Sequence, residues 1–150
     1  MDFKVLFKSF CVLTALLATV GCDPDGTQSF ALLNGTDDTL VVCLDKDTYR
    51  EKSLTCAPGQ STCFCEITYM DYPLESELEY CINGYWWSFR VYRHDTCLVH
   101  WSGKMQHLGD SIHNFYNYDS WTTVATGKSS LLSTYTITPD DLDQSPQPEK

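Results

Sequence analysis

Basic residues are scarce in this chain. Ten Lys and Arg stand against twenty Asp and Glu, for a formal charge of −10 at neutral pH. Nucleic acid and anionic lipid headgroups both call for basic patches, so neither is expected as a partner. Long apolar runs are missing too: the best, 10–20, falls short of the ~20 residues that carry a helix across a membrane. There is no His-Glu-x-x-His, no Gly-x-Ser-x-Gly elbow and no double Cys-x-x-Cys pattern, which leaves metalloprotease, serine hydrolase and zinc-ribbon chemistry without their usual residues. No cofactor and no metal are expected. Cysteines and aromatics are plentiful, with eight Cys, four Trp and nine Tyr.

The N-terminus carries the sharpest signal. Lys4 and Lys8 precede the apolar run, which ends at Val20 and is followed by Gly21 and Cys22. This arrangement resembles a bacterial lipoprotein signal, removed just before a cysteine that receives the lipid. Residues 1–21 then form the signal, and Cys22 is the lipidation site. An ordinary secretory signal cut at the same place is the alternative, but it leaves seven cysteines, an odd number, in an oxidising compartment. With Cys22 acylated, six remain: Cys43, Cys56, Cys63, Cys65, Cys81 and Cys97. An even set pairs completely, which favours lipidation and a disulfide-stapled domain. Cys56 and Cys63 flank Pro58-Gly59 and read as a hairpin pair. A zinc site built on Cys63-x-Cys65 is the alternative.

Residues 22–28 read as an acidic tether and 143–150 as a disordered tail, because both are polar and carry proline. The folded unit is 29–142. Its pattern is period-two alternation with turn residues, which predicts a mainly β, single antiparallel sandwich or barrel-like domain. Phe30-Ala31-Leu32-Leu33 and the run 39–44 read as strands joined by a hairpin at Asn34-Gly35-Thr36-Asp37-Asp38. Asn34-Gly35-Thr36 is also an N-glycosylation sequon, relevant to a eukaryotic chain. Further strands are expected at 62–69, 85–93, 97–101, 121–125 and 131–138, with a charged loop after residue 44, one helical turn at 74–79 and another from Thr138-Pro139.

These features, with Asp119-Ser120-Trp121 and the closing Tyr135-Thr136-Ile137-Thr138, resemble small β-rich lipoproteins of gut-dwelling Gram-negative anaerobes. The resemblance implies a β-rich domain on an outer membrane and no particular activity. Asp38-Thr39-Leu40 and Asp110-Ser111-Ile112 are similar to the O-glycosylation acceptors of exported proteins in those organisms.

The strand at 85–93 is expected to put Tyr85, Trp87, Phe89 and Val91 in the core and Trp86, Ser88, Arg90 and Tyr92 outside. Trp86, Arg90 and Tyr92 are therefore the candidate ligand-binding row, suited to stacking on sugars or peptide groups. His107, His113 and Asp110 share a loop and read mainly as solvated residues. Two function classes follow. One is a non-enzymatic lipoprotein, exported and held on the envelope by its N-terminal lipid, whose partner is an unknown envelope protein. The other is a glycan- or peptide-binding module using outward aromatics.

Overall fold

The computed structural model describes residues 26–46, 50–69 and 74–143. Cys22, the signal segment and the tail from 144 lie outside the described residues. Among the described residues eight strands are formed: β1 (Gly26–Asn34), β2 (Leu40–Lys46), β3 (Arg50–Cys56), β4 (Ser61–Tyr69), β5 (Ser88–Arg93), β6 (Thr96–Ser102), β7 (Trp121–Gly127) and β8 (Ser130–Ile137). Two α-helices accompany them there, α1 (Leu74–Tyr85) and α2 (Pro139–Leu142). The strands make two four-stranded sheets, ordered β4-β1-β8-β7 and β3-β2-β5-β6, packed as a sandwich. The expected mainly β sandwich is thus present, and it is not a closed barrel. All ladders are antiparallel except β1–β8, where the first strand runs parallel to the last.

Three sequence expectations need correction. β1 and β2 are not a hairpin: β1 pairs with β4 and β8, and β2 with β3 and β5. The Asn34–Asp38 connection therefore crosses between sheets. Asn34 anchors it, buried, with Nδ2 donating to the carbonyls of Asp38 (2.7 Å) and Cys56 (2.9 Å) and Oδ1 accepting from Thr36. Gly35 is required there, because a Cβ would come within 3.0 Å of the Ile137 carbonyl oxygen. Second, the charged stretch after residue 44 holds β3. Its edge position lets Glu51 face solvent while Leu54 and Cys56 pack inward. Third, β1 begins at Gly26, within the stretch read as tether.

The helix at 74 is longer than one turn, and its apolar spacing says why. Leu78, Cys81 and Ile82 are buried at positions i, i+3 and i+4, one stripe of a helix laid on the sandwich. Trp86 continues that stripe, four residues beyond Ile82, with its amide bonded to the Ile82 carbonyl at 2.8 Å. It enters the core, 8% exposed, and packs edge-on against Phe64 at 6.1 Å. Trp87 is 51% exposed. The alternation expected over 85–93 holds only from Ser88 onward, with Phe89 and Val91 buried and Arg90 and Tyr92 on the other face. Helical period rules residues 85 and 86, so the assignment of the two tryptophans is inverted.

The core is aromatic. Phe30, Phe64, Phe89, Trp101, Phe115 and Tyr135 are all buried. Each such burial contributes roughly 1.5–3 kcal/mol before chain entropy is set against it. Phe115 and Tyr116 come from the long loop after β6 and are both inside. Asn117, fully buried, organises that loop. Its Nδ2 donates to the carbonyls of Gly109 and Ile112, and its Oδ1 accepts from the Leu108 amide.

Candidate functional site: the outer face of the second sheet

The register of β3-β2-β5-β6 places three polar rows across one face. Ser53, Cys43, Arg90 and His100 form the middle row, flanked by Glu51, Asp45 and Ser88 on one side and by Val41, Tyr92 and Cys97 on the other. Arg90 is the centre. Its Nη2 donates to Asp45 Oδ1 (2.9 Å) and Oδ2 (2.8 Å), and its Nη1 donates to the Tyr92 hydroxyl at 3.0 Å. Glu51 Oε1 stands 3.8 Å away, and the guanidinium carbon lies 6.0 Å from the Tyr92 ring centre. Partial burial pulls the Arg90 pKa down, but the Asp45 bond and charge outweigh it and the net shift is upward. Burial likewise pushes Tyr92 up against the pull of Arg90. Ser88 and His100 approach to 3.2 Å beside this group.

Two of the three predicted row members, Arg90 and Tyr92, therefore do lie together. The third, Trp86, is on the opposite side of the sheet with its Nε1 buried and without a hydrogen-bond partner. A stacking groove of three platforms does not form. The remaining face is a self-neutralised patch, because Asp45 and Glu51 answer the charge of Arg90. A ligand carboxylate has to displace Asp45 to reach it.

A second constellation was not foreseen. His113 Nδ1 lies 2.8 Å from Asp141 Oδ1 and 3.2 Å from the Tyr135 hydroxyl, and its ring stacks on Tyr135 at 5.0 Å. In this region the sequence indicated only a helical turn from Thr138-Pro139. In the structure the other Asp141 oxygen, Oδ2, accepts from the Thr138 amide (2.8 Å) and hydroxyl (2.9 Å). Asp141 is thus a capping-box residue that also ties the long loop to α2. Burial, then the Asp141 charge, raise the Tyr135 pKa far above the usual range, so it stays a neutral phenol. His107 pairs with Asp119 at 3.3 Å and stacks on Tyr118, on the exposed side of the same loop. Asp110 is exposed and joins neither group.

The cysteines divide by position. Among the described residues the structure holds no disulfide. Cys56 is fully buried on β3, whereas Cys63 is exposed on β4 in the other sheet. The expected Cys56–Cys63 hairpin pair fails because Pro58-Gly59 joins two sheets and not two paired strands. Cys65 on β4 and Cys81 on α1 do meet, thiol to thiol. The Cys65 thiol, then burial, push the Cys81 pKa well above the ordinary thiol value. Cys43 and Cys97 lie on the outer face of the second sheet, in the middle row and a flanking row. Among the described residues no three His, Cys, Asp or Glu side chains are grouped to hold a metal ion, and no helix is long and apolar enough to cross a membrane.

Searches of protein-family models, of curated proteins and of solved structures find nothing that matches this chain.

Proposed function

We propose that this chain is an exported, lipid-anchored and non-enzymatic interaction protein of the bacterial envelope, with Cys22 as the acylated residue. The observation that carries the reading is the signal-like segment ending at Gly21-Cys22, directly ahead of a folded sandwich whose first strand starts at Gly26. Four extended residues reach at most roughly 15 Å, so the domain stands close to the lipid surface. The Cys65–Cys81 contact supports an oxidising compartment, where such a pair closes.

The protein partner is favoured over a glycan because Trp86 is in the core and Arg90 is held by Asp45. The non-enzymatic reading is supported by the bonds of His113 and Asp141. One oxygen of the buried acid ties the loop to α2 and the other caps α2 through Thr138, both structural uses.

The test is expression of the full chain in a Gram-negative host beside Cys22→Ala, followed by detergent phase partition and labelling with a fatty-acid analogue. The reading expects the parent chain in the detergent phase with label, and the variant in the aqueous phase without it. Two aqueous, unlabelled proteins reject the anchor.

A further inference from the structure

Four strands are sheet edges, and three of them are protected against pairing. β3 carries Glu51 and Lys52 in adjacent positions. β4 carries Glu66 and an irregular register opposite Phe30 and Ala31. β6 is interrupted by a register shift opposite Val91 and Tyr92. Charges and bulges of this kind are how native sheets keep their edges from pairing with other chains.

β7 has almost none of this protection. Its sequence, Trp121-Thr122-Thr123-Val124-Ala125-Thr126-Gly127, holds no charge, and every residue after Trp121 is exposed. Val124 is 49% exposed. The only irregularity comes at the far end, between Ala125 and Gly127. The strand is rich in β-branched residues, which favour a paired, pleated surface. An uncharged β-branched edge left open on both faces is a pairing surface.

We propose that β7 is a dimerisation edge, taking the β7 strand of a second copy of this chain in antiparallel register about Val124. The strand is close to self-complementary in that register. Val124 of one copy faces Val124 of the other, Thr123 faces Ala125, and Thr122 faces Thr126 where the ladder ends. β-branched and Thr–Thr pairs of this type stabilise cross-strand contacts. Charge at the seam does not oppose this occupant: the whole chain is strongly acidic, but β7 carries no acid, so two copies bring no like charges together along it. The two-fold contact uses one patch on both copies, so it closes at two. The far edge of the eight-stranded product is β4, which is protected. This proposal does not depend on the lipid anchor.

The full chain with Cys22→Ala is the material, which keeps a failure of dimerisation separate from a failure of the anchor. Its mass is followed by sedimentation equilibrium across a wide concentration range, with hydrogen exchange of the 122–126 amides on the same samples. Expected are a monomer–dimer equilibrium and amide protection that rises with dimer fraction. Val124→Lys sets like charges opposite each other and should weaken association about tenfold or more. Ile112→Lys, at another exposed apolar residue (45% exposed), should leave it unchanged. A chain monomeric at every concentration overturns the proposal, whatever other partner this edge accepts. So does a dimer insensitive to Val124→Lys, or one whose 122–126 amides gain no protection. The exchange measurement decides the matter even if a variant fails to fold.

Discussion

Phe115 lies against Phe89 with ring centroids 4.3 Å apart and planes 19° from parallel. One ring comes from a strand and the other from the long loop, so the loop supplies the middle of the aromatic core. Phe115 also meets Phe64, Trp121 and Tyr135 within 5.2–6.2 Å. Phe115→Ala should therefore destabilise the protein as a central core truncation does, by ~3–5 kcal/mol. Urea unfolding followed by tryptophan fluorescence checks this. A cost below ~1 kcal/mol would place the ring outside the core.

The two adjacent tryptophans should respond oppositely. Trp86→Ala removes a buried ring packed on Phe64 and should cost ~3–5 kcal/mol. Trp87→Ala removes a ring that is half exposed and should stay within about 1 kcal/mol. The same unfolding assay compares them, and a larger loss at Trp87 would reverse the face assignment.

Oxidation should join Cys65 to Cys81 and not Cys56 to Cys63. Cys65, the more accessible of the two, attacks an external disulfide carrier to form a mixed disulfide. Cys81 then attacks the Cys65 sulfur and releases the carrier thiol. Closing a loop of this length stabilises by ~3 kcal/mol in the chain-entropy picture. Alkylation of the denatured, non-reduced chain, followed by peptide mass analysis, should find these two thiols protected together. A Cys56–Cys63 peptide would refute the assignment.

Asn117→Ala should loosen the loop between β6 and β7. It strips hydrogen bonds from the carbonyls of Gly109 and Ile112 and from the Leu108 amide. These groups are only partly buried, so each lost bond costs less than the ~1–3 kcal/mol of a fully buried unpaired group. Limited proteolysis should cut the variant within 105–117 faster than the parent. Equal cleavage rates would show that the loop holds without Asn117.

High pH should unfold the protein through its buried phenols. Burial raises Tyr135 and Tyr116 far above the ordinary tyrosine range, with the charges of Asp141 and Asp45 adding to the shift. Both stay protonated in the folded chain, while the unfolded chain ionises near the ordinary value of about 10. The stability they contribute is complete below that pH and falls as pH rises beyond it. Tyrosinate absorbance and circular dichroism should therefore change together above pH ~10. Full tyrosine ionisation in a still-folded protein would contradict the burial of these two rings.

How far the sequence could be read depended on the range of the forces involved. Alternation marked β5, β6, β7 and β8 to within a few residues, because one face of each strand is apolar and neighbouring side chains point opposite ways. β3 was not marked, since an edge strand carrying Arg50, Glu51 and Lys52 looks like a solvated loop until its register with β2 is known. Trp86 was misplaced because strand period and helix period compete at that residue, and packing of Ile82 against the sandwich decides for the helix.

The candidate site divides in the same way. Arg90 and Tyr92 share a face by strand parity alone, two residues apart. Asp45 joins them from a position 45 residues earlier, which only the β2–β5 register determines. The helical turn at Thr138-Pro139 was legible, yet the contact of Asp141 with His113 needs the long loop folded onto α2. By itself, then, the chain determines the mainly β class, the acidity and the local turn and helix-start chemistry, all read from composition or from neighbours within a few residues. Which strands share a sheet, which thiols meet, which tryptophan is inside and which edge stays open are decided only by tertiary structure, because each depends on burial between segments far apart in the chain.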